Sequence, residues 1–268
     1  MKKALIATAA VCGAYLLTLR GRSGHPGLKD LQGWSYAHRG LHGNGVPENS
    51  MLAFRKALEH GYGIELDIHL MKDGNLAVIH DTSLLRTAGV DVNITDLTTE
   101  DLANYPLEGT DELTPTFRQV LELFAGKAPL IIELKADNNH KELVDAAVRA
   151  MEGYSGAYCM ESFDPRCVLH LKKSHPQVIR GQLTENFFDS NVTLHPALKF
   201  VMKHNLTNFL TVPDFISYKF SHRKATVSNF LCRKVWDIQG VTWTLKNQQE
   251  HDTAVKEGWL PIFEDYTP

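Results

Sequence analysis

A chain of 268 residues, 43% hydrophobic and 22% charged, is long enough for one globular domain of more than average size. A formal net charge of −3 leaves no basic footprint, which excludes nucleic acid as the expected partner. Four cysteines, Cys12, Cys159, Cys167 and Cys232, form neither a C-x-x-C pair nor a dense framework, so they read as free thiols.

The first element is the uncharged run "ALIATAAVCGAYLLTL", Ala4 to Leu19, behind "MKK". At ~1.5 Å per helical residue it is about 24 Å long, a little less than the ~30 Å hydrocarbon core of a bilayer. The following "RGRSG" makes a poor cleavage site, and Val11 before Cys12 does not suit a lipoprotein signal. An uncleaved transmembrane anchor is therefore expected, holding the protein at a membrane. Lys2 and Lys3 on one side against Arg20 and Arg22 on the other leave its orientation open. The polar, Gly-rich stretch Gly21 to Gly33 reads as a linker. The expected division is thus anchor and linker at 1–33 and a catalytic domain at 34–268.

Beyond the linker, β-prone runs alternate with amphipathic helical stretches. Strands are expected at Tyr36–His38, Gly63–Leu70, Leu76–His80, Leu130–Leu134, Ala157–Ser162, Val178–Leu183, Phe209–Val212, Gly240–Thr244 and Leu260–Glu264. Helices are expected at Asn49–His60, with Asn49 or Ser50 as N-cap, and at Thr116–Ala125, Lys141–Gly153, Pro165–Ser174 and Gln248–Gly258. Thr184 to His204 reads as an insertion or long loop. Such alternation implies parallel strands joined by crossover helices. Roughly eight β/α units in about 240 residues is the size of a closed (β/α)8 barrel, with an open doubly wound sheet as the rival.

Two strands carry unusual charge. In "GIELDIHL", Glu65 and Asp67 share a face about 7 Å apart, because alternate strand residues point the same way. An exposed strand with a wet face would explain them, but helices cover both faces of a parallel sheet, and unpaired carboxylates there are costly. In a barrel that face looks inward and calls for a cation, and oxygen-only ligands select a hard one such as Mg²⁺ or Ca²⁺. "PLIIELKA" repeats the arrangement, with Glu133 as a third carboxylate and Lys135 beside it as a point charge for a phosphate oxygen. Of thirteen histidines, His25, His140, His170, His175, His222 and His251 stand in polar or helical contexts and read as surface residues. His38 and His80 each close a strand and each precede a polar residue, Arg39 or Asp81. Strand C-termini are where barrels build active sites. Two imidazoles, a hard cation, Arg39 and Lys135 make a site for an anionic phosphate, with one histidine to take a proton and one to give it.

These motifs resemble the glycerophosphodiester phosphodiesterases. "AHRG" at 37–40, "PENS" at 47–50, "ELD" at 65–67, "KDGNLAVIHD" at 72–81 and "IELK" at 132–135 carry the likeness, with "ESFD" at 161–164 and "VTWTLKN" at 241–247 as weaker later parts. The resemblance implies a TIM barrel with a small insertion after the second strand, roughly residues 71–115. It implies a divalent-metal phosphodiesterase that cuts small-molecule glycerophosphodiesters to glycerol 3-phosphate and an alcohol. By match, Glu65, Asp67 and Glu133 would be metal ligands, His38 and His80 the acid/base pair, and Arg39 and Lys135 the phosphate contacts. Glu48 would support the site by orienting Arg39 or His38, and Trp243 would line the glycerol or leaving-group side. The family closes on a strand ending Thr-Asp-x-Pro; here "WLPIFEDYTP" puts Glu264 where that Thr would stand. A phospholipase-type enzyme acting on lipid headgroups, or a non-catalytic barrel tethered at a membrane, are the alternatives.

Overall fold

The computed structural model describes the backbone of residues 2–268, and the side chains of residue 8 and of residues 10–268. Among the described residues nine strands form: β1 (Tyr36–His38), β2 (Gly63–Leu70), β3 (Leu76–Val78), β4 (Leu130–Leu134), β5 (Tyr158–Ser162), β6 (Arg180–Thr184), β7 (Phe215–Lys219), β8 (Gln239–Leu245) and β9 (Trp259–Phe263). All but β3 are parallel and neighbours in register; β1 pairs with both β2 and β9, which closes the ring into a (β/α)8 barrel.

The alternation in β2 decides which side is which. Ile64, Leu66 and Ile68 point outward and join Ile132, Leu134 and Met160 against Phe54, Phe117, Phe124, Leu143, Val144 and Leu171 of the surrounding helices. The inward residues of the lower barrel are apolar: Tyr36, Ile131, Cys159, Phe215, Val241 and Ile262 pack together. Above them β2 and β4 carry the buried acids Glu65, Asp67 and Glu133 on the inward face, so the barrel is apolar below and polar at its mouth.

The seal comes from the segment expected to be a linker. Pro26–Leu31 forms a 3-10 turn, and Leu28 and Leu31 are buried in the same lower cluster. The Tyr36 hydroxyl donates to the Leu31 carbonyl at 2.6 Å, and Arg22 donates to Asp214 at 2.6 Å. Residues 21–33 are therefore part of the barrel's floor; their Gly and polar content hid two apolar plugs. The expected transmembrane anchor finds no support. A helix does form, over Lys2–Thr18, but among the described residues no helix is long and apolar enough to cross a membrane. At ~1.5 Å per residue its 17 residues, two of them lysines, fall short of the ~30 Å core. The side chains of residues 4–7 and 9 lie outside the described residues. Its last turn is tied down: Trp236 donates to the Leu16 carbonyl at 2.8 Å, and Leu19 is buried with Ile216 and Ile238.

Elements elsewhere also differ from expectation, among them the helix Val227–Lys234, which is not among the expected helices. Phe209–Val212 is not a strand: Asn208–Thr211 is a short helix, and the strand follows at Phe215–Lys219. A brief apolar run has no period to separate the two states, and Pro213 before Asp214 marks where the helix must stop. Within Thr184 to His204 a helix forms over Pro196–Lys203, its turn opened by Pro196.

Candidate active site

The mouth of the barrel gathers the residues singled out above. Glu65, Asp67 and Glu133 are buried, and one oxygen of each lies within 4.8 Å of the others. The parallel register sets Asp67 beside Glu133 on adjacent strands and Glu65 one layer lower. Lys135 follows β4 and bridges two of them, with Nζ 2.8 Å from Glu133 Oε1 and 3.0 Å from Asp67 Oδ1.

Arg39 reaches the same cluster because the chain turns abruptly after β1. Arg39 itself has φ +55°, and Gly40 follows with φ +80°. A Cβ on Gly40 would stand 2.9 Å from Ala53 Cβ, so only glycine lets this turn lie against helix Met51–Glu59. The turn aims the Arg39 N–H at Glu65 Oε2, 3.3 Å away, and places its guanidinium between Asp67 (3.5 Å) and Glu48 (2.9 Å). Asn49, also at positive φ, donates its amide to Asp67 Oδ2 at 2.9 Å, while Ser50 caps the helix.

His38 closes β1 with Nε2 3.8 Å from Glu65 and Nδ1 3.4 Å from Glu264. Glu264, just past β9, also meets His42 at 3.2 Å and pairs with Lys246. His80 does not end a barrel strand as expected. β3 is antiparallel to β2, pairing Val78 with Ile68, so the chain returns toward the mouth and delivers His80 to the level of Asp67. There Nδ1 contacts Asp81 at 2.6 Å; Asp81 accepts from Arg86 at 2.6 Å, and Arg86 also donates to Glu48 at 2.7 and 3.0 Å. Trp243 stands apart from these ion pairs, edge-to-face on Phe163 at 5.7 Å with Lys219 Nζ 5.8 Å from its ring centre.

Electrostatics separate the carboxylates. Burial, reinforced by Asp67 and Glu133, raises the Glu65 carboxyl well above the ordinary range. Burial pushes Glu133 up to about 7 despite the pull of Lys135. Burial would raise Asp67 too, but Lys135, His80 and Arg39 outweigh it and hold it well below normal. Burial lowers His38, and lowers His80 to about 4.

The donor set fits a divalent cation. Three convergent carboxylates share one lysine and one arginine, and burial drives two of the three toward protonation, which a cation bound among them would reverse. Oxygen-only ligands favour Mg²⁺ or Ca²⁺.

Residues 38–267 match the sequence pattern of the glycerophosphoryl diester phosphodiesterase family. The chain belongs to that family. It is 43% identical over 111 residues to a glycerophosphodiester phosphodiesterase of Bacillus altitudinis, covering 39% of this chain and 45% of that one. It is 37% identical over 116 residues to a lysophospholipase D of Rattus norvegicus, covering 38% and 36%. The chain thus spans less than half the length of these curated relatives. A phosphodiesterase of Oleispira antarctica, solved in complex with the product sn-glycerol-3-phosphate, superposes with a TM-score of 0.72 at 20% identity over 91% of this chain and 96% of that one, a likeness of fold.

Sequence reasoning passed over several residues of this family member's mouth. Glu161 is buried beside Glu133 in register, burial raises it well above its ordinary value, and its Oε2 has no hydrogen-bond partner. "ESFD" closing β5 as "IELK" closes β4 was the available signal. Asp81, Arg86, Asn49 and His42 carried none beyond their neighbours, because their roles depend on loops meeting in space.

Proposed function

We propose that this chain hydrolyses glycerophosphodiesters to glycerol 3-phosphate and an alcohol. The observation that carries this reading is the convergence of Glu65, Asp67 and Glu133 with Arg39, Lys135, His38 and His80 at one barrel mouth. Glu65, Asp67 and Glu133 would hold the cation. A divalent ion bound there supplies Lewis-acid stabilisation of charge building on the phosphoryl oxygens.

The side chains divide the remaining work. Arg39 and Lys135 hold the non-bridging oxygens of the diester, Arg39 being aimed by Glu48. Glu264 beside Nδ1 sets the His38 ring so that Nε2 faces the cluster, where it takes the proton of the attacking water. Water oxygen bonds to phosphorus as the phosphorus–alkoxide bond breaks. Asp81 orients His80 through Nδ1, leaving the other nitrogen to protonate the departing alkoxide. Burial keeps His80 neutral in the free protein; a bound phosphodiester adds the negative charge that lets it hold a second proton.

A second reading takes the substrate from a lipid surface. It is favoured by the likeness to a lysophospholipase D and by exposed Phe188, Phe200, Phe209 and Phe230, and it would place the chain at a membrane. One panel separates the two: deacylated glycerophosphodiesters against lysophospholipids, each with Mg²⁺ or Ca²⁺ and again after chelation. Turnover of the soluble diesters that stops on chelation supports the first reading. Turnover of neither class by metal-loaded protein would end both.

A further inference from the structure

A second cluster lies outside the barrel, between helix His140–Ala150 and helix Pro165–Ser174. Asp145 projects from the first; His170 belongs to the second, and His175 caps it. His170 Nε2 and His175 Nε2 lie 2.9 and 2.7 Å from the same atom, Asp145 Oδ1. All three ligand atoms lie within 4.8 Å of one another. The two rings are 76° apart with centroids 5.9 Å apart, so the nitrogens approach a common point from different directions.

The frame around this point is fixed. The His175 N–H donates to the Leu171 carbonyl at 2.9 Å, and its own carbonyl accepts from Val178 at 3.0 Å. Leu143, Val144 and Ala147 of one helix and Cys167 and Leu171 of the other are buried in a common core. The imidazoles are mostly covered, while the Asp145 side chain is 39% exposed, which leaves an approach for an ion and for water.

We propose that Asp145, His170 and His175 form a transition-metal site, for Zn²⁺ first, with water completing the coordination. Two imidazole nitrogens and one carboxylate are the donor set that borderline metals take and that Mg²⁺ and Ca²⁺ do not. At metal–ligand lengths of about 2.0–2.2 Å, tetrahedral donors stand roughly 3.3 Å apart. The present contacts therefore open by about half an ångström, within the reach of side-chain rotation. The ion would clip together the helices that follow β4 and β5, the strands carrying Glu133 and Glu161. The chain would thus hold two metals of opposite chemistry, a hard one at the barrel mouth and a softer one between helices.

The test is a zinc titration by calorimetry, with Mg²⁺ in excess to occupy the carboxylate site. The wild type should bind one more equivalent of Zn²⁺ than His170→Ala/His175→Ala, and Asp145→Asn should weaken that equivalent at least tenfold. Zinc at about 100 times its dissociation constant should raise the wild-type unfolding midpoint by several degrees and leave the double variant unmoved. Turnover in Mg²⁺ should be the same in both variants as in the wild type. Crystals of the unmodified protein, soaked in Zn²⁺, should scatter anomalously from a point between the three side chains, a measurement that stands even if the variants fold poorly. Equal zinc stoichiometry in wild type and double variant, or no anomalous peak there, would overturn the proposal.

Discussion

Cation binding at the barrel mouth should release protons, and Glu133 sets the scale. In the free protein its carboxyl rises from 4.5 to about 7, chiefly by burial. At ~1.4 kcal/mol per unit that displacement corresponds to about 3 kcal/mol. A carboxyl whose folded pKa exceeds its unfolded value binds more protons when folded, so its contribution is full below about 4.5 and is lost as pH rises to about 7. A bound cation needs the carboxylate ionised and reverses the trend. Below pH 7 the logarithm of metal affinity should rise by about one per pH unit from Glu133, and more steeply where Glu65 also holds its proton. Glu133→Gln isolates the group, since it keeps an acceptor for Lys135 and cannot titrate. In excess chelator, wild-type stability should fall relative to the variant by about 3 kcal/mol between pH 4.5 and 7, read from denaturant unfolding at each pH. Mg²⁺ calorimetry near pH 6 in buffers of different ionisation enthalpy should show about one fewer proton released by the variant, with weaker binding. Equal proton release by both proteins and a flat stability difference would refute the argument.

His38→Ala and His80→Ala should each lose about 10²–10⁴-fold in kcat with near-native stability. An aryl leaving group needs little protonation, so it should spare His80→Ala far more than His38→Ala; the reverse pattern, seen in turnover of aryl against choline diesters, would exchange the two roles. Arg86→Ala frees both Glu48 and Asp81, and should cost about tenfold in kcat/KM, on the scale of a charged hydrogen bond. Arg86→Lys should recover only part of this, because a point charge cannot serve both carboxylates. Leu31→Ala opens a cavity in the barrel floor and should cost about 2–5 kcal/mol in urea unfolding with KM unchanged; an unchanged midpoint would mean that residues 21–33 do not seal the barrel.

Much of the barrel was legible from one strand. "GIELDIHL" alternates so strictly that its apolar side had to meet helices and its acidic side had to meet something charged, and the structure puts them there because adjacent strand residues point to opposite faces. "PLIIELKA" was legible for the same reason, as was the break after His38, where Arg39 and Gly40 take positive φ. These are local properties of a few consecutive residues. What the chain order concealed depends on residues far apart meeting. Residues 21–33 look like a linker until Leu28 and Leu31 find the underside of a closed ring. His80 reaches Asp67 only because β3 turns back along β2, and no period reports the direction of a three-residue strand. His170 and His175 read as surface histidines, since nothing in their own helix shows that Asp145 waits on the neighbouring one. Spacing along a strand decides which side chains share a face; only the folded ring decides what stands across from them.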